Sequence, residues 1–168
     1  MIAALLLFFS WLLISSLVLF RFGFAYYGTF DEEQRWQVNV PSLTLAQLAI
    51  PVKAGWQVVH VLDPRCGCSR FAKEHAAMFT SLYDLAEQQQ TYRTAQELAA
   101  AGFVIPAVPA VLLFDHGTLI YAGPYASGPL CSTQHSFLHS LISRQTQLEG
   151  LWLNGESKAC RCLVTPTS

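Results

Sequence analysis

From Ile2 to Phe20 the chain runs nineteen residues without a charge, interrupted only by Ser10, Ser15 and Ser16. As a helix this stretch rises about 28 Å, close to the roughly 30 Å of a bilayer's hydrocarbon core. It lacks the polar gaps of an amphipathic core helix. Phe22, Phe24, Tyr26 and Tyr27 follow it as an interfacial aromatic cluster. A cleaved secretory signal wants a basic start, a shorter apolar run and a small-x-small site. Only Gly23-Phe24-Ala25 approaches the last of these. Residues 1–21 are therefore expected to form an uncleaved, single-pass transmembrane anchor. Arg21 on its C-terminal flank mildly favours a cytoplasmic side, and charge alone leaves the orientation open.

The anchor explains the composition. The chain is 52% hydrophobic, with ten Lys or Arg, eleven Asp or Glu and a net charge of −1. Only one of those charges, Arg21, precedes residue 31. The remainder has the charge density of an ordinary globular domain, long enough for one core. Near-zero charge without a basic cluster argues against nucleic acid as a partner.

Residues 22–45 read as a connector, with Trp36 to Val40 as a short strand ended by Pro41. Gln57 to Leu62 is rich in β-branched residues and reads as a buried strand. Asp63-Pro64-Arg65-Cys66-Gly67-Cys68 breaks it. Ser69 to Gln90 reads as one helix, its apolar stripe formed by Phe71, His75, Met78, Leu82 and Leu85. Thr94 to Ala101 is a shorter helix closed by Gly102. Two prolines then lead into the apolar run Ala110 to Phe114. Asp115-His116-Gly117 turns the chain, and Thr118 to Ala122 pairs back. Cys131 to Gln147 is expected as a last helix. Residues 150–168 form a tail carrying Cys160-Arg161-Cys162. Strands alternating with helices predict an α/β layered domain over residues 46–149.

Two segments carry a family resemblance. A buried strand enters Pro64-Arg65-Cys66-Gly67-Cys68-Ser69 at a helix start. Later, Ile105-Pro106-Ala107-Val108-Pro109-Ala110-Val111-Leu112-Leu113-Phe114 runs into Asp115-His116-Gly117. Together they resemble the thioredoxin-like superfamily over roughly residues 46–147. The resemblance implies a central mixed sheet flanked by helices, placed after the transmembrane helix. It implies a cis proline at Pro109 beside the reactive cysteines. Membrane-tethered, extracytoplasmic members share this layout, which implies a periplasmic domain. The usual Cys-x-x-Cys is replaced by Cys-x-Cys-Ser, similar to a less characterised group with Cys-Pro-Cys-Ser at this place.

The chemistry can be argued from the residues. A cysteine at a helix N-terminus faces unpaired N–H groups, which favour the thiolate. Arg65 and Arg70 act in the same direction. Cys66 is the expected nucleophile. Cys68, or a tail cysteine, is the expected resolving thiol. The backbone of Val108, before Pro109, is expected to pair with an extended substrate segment. His60 lies six residues before Cys66, where the resemblance implies a buried acid; it is a candidate proton carrier, with Asp63 as rival. A hydrogen-bonded core histidine is the alternative reading of His60.

Five cysteines leave at least one without an intrachain partner. A bridge from Cys131 to the tail would pin the C-terminus. A relay through Cys160 and Cys162 to Cys66 and Cys68 is the sharper reading. Zinc or Cu(I) binding by the Cys-x-Cys pairs, as in a metallochaperone, is an alternative function. His75 reads as a core residue, and His116, His135 and His139 as solvated. A non-catalytic role in membrane-complex assembly is a further alternative. No Gly-rich phosphate loop suggests an organic cofactor, and no metal is assigned. The leading expectation is a membrane-anchored thiol–disulfide oxidoreductase whose partner is a thiol- or disulfide-bearing protein or small molecule.

Overall fold

The computed structural model describes residues 2–38 and 42–165, with backbone alone at 22–24. Helix α1 spans Ile2–Phe24. None of its apolar window, Ile2–Arg21, is buried against the rest of the protein, and it is long and apolar enough to cross a membrane. Strand β1 (Tyr27–Thr29) and helix α2 (Arg35–Val38) follow. A strand was expected at Trp36 to Val40. Instead the Asp31 carboxylate accepts hydrogen bonds from the Arg35 and Trp36 N–H groups at 3.0 and 2.9 Å, starting a helical turn. Residues 39–41 lie outside the described residues.

The domain is built on β2 (Trp56–Val61), helices α3 (Cys68–Ala77) and α4 (Phe79–Tyr83), and β3 (Gln90–Arg93). Helix α5 (Ala95–Ala100), strands β4 (Ala107–Val108), β5 (Ala110–Asp115) and β6 (Thr118–Gly123), and helix α6 (Phe137–Ile142) come next. The chain closes with β7 (Trp152–Leu153), β8 (Lys158–Cys160) and β9 (Cys162–Leu163). Five strands form one mixed sheet in the order β3-β2-β5-β6-β7. β2 runs parallel to β3 and antiparallel to β5; β6 is antiparallel to β5 and parallel to β7.

Side chains alternate across this sheet. Val59, Val61, Ala110, Leu112 and Phe114 join one buried layer with Trp36, Leu48, Leu98 and Ile105. Val58, Val111 and Leu113 join the other, under Ala72, Ala76, Phe79, Leu138 and Leu141. Helices therefore cover both faces, which is why the central strands are apolar on both sides.

Two long helices expected from the sequence are shorter. The Ser69–Gln90 stretch breaks at Met78, between α3 and α4, and its helical part ends at Asp84, whose φ is 52°; Gln90–Arg93 becomes β3. The edge of β2 needs hydrogen-bond partners, and that tertiary demand outweighs the helical preference of a Glu- and Gln-rich segment. The Cys131–Gln147 stretch begins only at Phe137 as an α-helix. Cys131 has φ 51° and cannot enter a helix. Ser132 caps a 3₁₀ turn (Thr133–His135), and Ser136 restarts the helix by accepting from Leu138 N–H. The His116-Gly117 turn is as expected, with φ of 48° and 82°, both positive as a two-residue hairpin requires.

Candidate functional site

Three segments meet at the start of α3. The first is the loop leaving β2. Cys66 N–H donates to Asp63 O at 2.9 Å, and Asp63 N–H donates to Ser69 Oγ at 3.1 Å. Asp63 also accepts from Arg65 through both backbone and guanidinium. These bonds wind the loop tightly, so Cys66 ends in the turn and Cys68 opens the helix.

The second segment is the proline strand. The Val108–Pro109 peptide bond is cis. The Val108 carbonyl oxygen lies 3.5 Å from Cys66 Sγ. The third segment is the tail. β9 pairs antiparallel with β4, placing Cys162 opposite Val108 and Leu163 opposite Ala107. Val164 N–H continues the pairing by donating to Pro106 O at 2.8 Å. β8 pairs antiparallel with β1, placing Cys160 opposite Tyr27. Between them Arg161 turns to the connector: its N–H donates to Tyr26 O, and its guanidinium to Thr29 O and to Glu32 at 2.6 Å.

This convergence forms two nested disulfides, Cys66–Cys162 and Cys68–Cys160. Their Cα atoms are 5.9 and 5.5 Å apart, within the ordinary disulfide span. Of the two partners expected for Cys66, it is a tail cysteine and not Cys68 that bonds it. Cys68 bonds the other tail cysteine, because two Cys-x-Cys units in opposed segments can align sulfur to sulfur. Both loop cysteines are buried, at 4% and 1% exposure, under the tail. Around them Pro64, Arg65 and Gly67 stay exposed. Beside the Cys66–Cys162 bond lies a groove of about 580 Å³, lined by Leu62, Pro64, Arg65, Ala99, Val108 and Leu163.

Cys131 is corrected too. It is a buried free thiol, not a bridge to the tail. It packs in the layer on the opposite side of the sheet from Cys66 and Cys68, out of reach of the tail. Burial pushes its thiol up to about 12, so it holds its proton at neutral pH.

His60 also belongs to that opposite side. It alternates with Val59 and Val61, which face the cysteine layer. It is fully buried, with Nδ1 2.8 Å from Tyr125 OH and Nε2 3.1 Å from Gln90 Oε1. Tyr92 and Tyr125 stack on its ring. Burial lowers its pKa to about 4. The arrangement is that of a neutral core histidine, and it does not bring His60 to the disulfides. Asp63 does sit at the site. Hydrogen bonds from Arg65, with that guanidinium's charge, hold its carboxyl below the usual range.

The remaining histidines separate by environment. His75 is buried, with Nδ1 3.2 Å from the Cys131 carbonyl. His116, His135 and His139 are exposed. Arg70 lies over the Phe71 ring at 4.8 Å. Among the described residues no three His, Cys, Asp or Glu side chains cluster as a metal site.

A family model described as a domain of unknown function, DUF6436, matches residues 34–164. The chain belongs to the DUF6436 family. No curated protein and no solved structure matches the chain. The DUF6436 span starts after α1 and β1 and ends past β9, so it contains both halves of each disulfide, together with Pro109, His60 and Cys131. One signal in the sequence pointed to the pairing: the two Cys-x-Cys units have identical spacing, so either can ladder against the other.

Proposed function

We propose that this protein is a membrane-anchored thiol–disulfide oxidoreductase on a thioredoxin-like fold. The observation that carries the reading is a sulfur of the helix-start loop bonded to a cysteine on a strand that pairs beside a cis proline. Several features support the fold assignment. β2, α3 and β3 make a parallel strand-helix-strand unit. The β5–β6 hairpin lies on the other side of β2, and helices cover both faces.

The nucleophile is Cys66, and the resolving thiol is Cys162. With the Cys66–Cys162 bond reduced, the Cys66 thiolate attacks one sulfur of a substrate disulfide. A mixed disulfide forms and the other substrate sulfur leaves as thiolate. Cys162 thiolate then attacks Cys66 Sγ, releases the second substrate thiol and closes Cys66–Cys162. The substrate gains two electrons and the cysteine pair loses two. Run backwards, the same steps oxidise a dithiol. Cys68–Cys160 holds the tail in place during the exchange.

The membrane reading rests on the Ile2–Arg21 part of α1, whose apolar side chains stay exposed; Leu7 and Leu19, for example, are 71% and 73% exposed. Such a surface is stable in lipid and not in water. β1 begins three residues after α1 ends, and Cys160 sits opposite Tyr27. The disulfides are therefore held within about 20 Å of the anchor's end, by chain length and strand spacing. That suits a partner at the membrane surface. Persistent disulfides favour an extracytoplasmic side.

The test uses the full chain in detergent, with Cys162→Ser, and an excess of a protein disulfide substrate. The expected result is a mixed disulfide on Cys66, found by mass spectrometry and absent when Cys66 is also replaced by Ser. Failure to trap one at any substrate concentration leaves the disulfides as a static clamp and favours the assembly role.

A further inference from the structure

The Ala107–Val108 edge is where an extended substrate is expected to pair, and the protein's own tail already occupies it. Cys162 stands opposite Val108, with its sulfur on Cys66. Leu163 stands opposite Ala107, and Val164 N–H bonds Pro106 O. Arg35 adds a hydrogen bond from its guanidinium to Val164 O at 2.8 Å. This is the arrangement of a mixed disulfide between an enzyme and a bound strand, made within one chain.

We infer that β9 is a tethered stand-in for the substrate. Its sequence, Cys162-Leu163-Val164, shows the class of partner the edge accepts: an extended polypeptide with a cysteine followed by apolar residues. The inference rests on the oxidoreductase reading and specifies its substrate. Three features of the docked tail define the recognition. Backbone pairing at Ala107 and Val108 is independent of side chains and demands an extended strand. The Val164 N–H to Pro106 O bond requires an N–H two residues after the cysteine. The groove beside Leu163 is largely apolar, with Leu62, Pro64, Ala99, Val104 and Ile105 in its wall, so the residues after the cysteine are selected for apolarity.

The tail and a substrate cannot hold this edge together. β8 is fastened separately, through β1, the Arg161 contacts and Cys68–Cys160. Once Cys66–Cys162 is reduced by an incoming dithiol, which is itself oxidised to a disulfide, β9 loses its covalent hold and keeps its short ladder, the Val164 bond, Arg35 and the packing of Cys162 and Val164 on the core. A substrate strand then displaces β9 while β8 stays attached. Cys162 remains nearby to resolve the mixed disulfide.

The experiment uses full-length protein in detergent with Cys162→Ser, which leaves Cys66 free and β9 docked without a covalent bond. Short peptides carry one cysteine as a mixed disulfide with a chromogenic aromatic thiol. Cys66 thiolate attacks the peptide sulfur, forming the peptide–Cys66 disulfide and expelling the coloured thiolate, whose appearance gives the rate. A peptide reading Ala-Cys-Leu-Val is expected to react at least tenfold faster than Ala-Cys-Glu-Lys or Ala-Cys-Leu-Pro; the last lacks the N–H for Pro106 O. Adding Val164→Pro to the protein removes the tail's own bond and is expected to speed capture at least threefold. Equal rates for the three peptides, with no gain from Val164→Pro, overturn the substrate-mimic inference and leave the oxidoreductase standing. No release of chromogen with any peptide, in either protein, overturns both.

Discussion

His60 shows how burial governs a single residue. Its pKa of about 4 in the folded protein lies below the ordinary 6.5 because its charged form is desolvated. As pH falls, the unfolded chain takes the proton first. The stability from a neutral His60 is complete above about pH 6.5 and is lost as pH falls toward 4. The loss amounts to about 3 kcal/mol. Denaturant melts between pH 8 and 4 are expected to show this slope, and His60→Gln is expected to flatten it. An unchanged slope would mean that other groups, such as the buried His75, carry the acid sensitivity. The histidine's residue type and its place six before Cys66 suggested proton transfer. Strand alternation, which sends it to the far face, decided otherwise.

At the scale of elements, α1 was legible because a long charge-free run has few folded outcomes. Its sharpest test is a charge at its centre. Leu12→Arg is expected to cost about 3 kcal/mol of insertion at mid-bilayer, and to move the protein from the membrane pellet toward the soluble or degraded fraction. Unchanged pelleting would show that α1 is not the anchor. β2, β5, β6 and their hairpin were legible for a related reason: apolar β-branched runs bounded by turn residues encode strands locally. β3 was not. Gln90, Thr91, Tyr92 and Arg93 carry a weak signal, and they become a strand because β2 offers them an unpaired edge. The last helix was overextended because its apolar spacing hid two serine caps and a left-handed cysteine.

At the scale of the whole molecule, the two disulfides act as one closure. Each spans a long loop, 96 or 92 residues apart in sequence. Closing such a loop in the unfolded chain stabilises the fold by about 5 kcal/mol. The second bond, nested two residues from the first, closes only a small additional ring, contributing about 2 kcal/mol by the same loop-entropy reasoning. Replacing Cys66 and Cys162 together by Ala is therefore expected to cost about 2 kcal/mol, and replacing all four about 7 kcal/mol. Equilibrium unfolding of the full chain without reductant measures both. A full-sized loss from removing one pair alone would show that the two bonds stabilise independently.

By itself the sequence determined the long apolar N-terminal helix, the strand-helix layering and the cysteine loop at a helix start. These follow from hydrophobic periodicity and turn chemistry, which act between near neighbours. It also marked Pro109, through resemblance to a known arrangement of residues. The tertiary structure decided which sulfurs meet, because pairing depends on which strands lie side by side across more than ninety residues of chain. It carried β8 and β9 back to β1 and β4, set Cys131 and His60 on the far side of the sheet, and seated Cys162 against Val108. No local pattern encodes those placements. They arise where backbone edges need partners and the tail is the segment that reaches them.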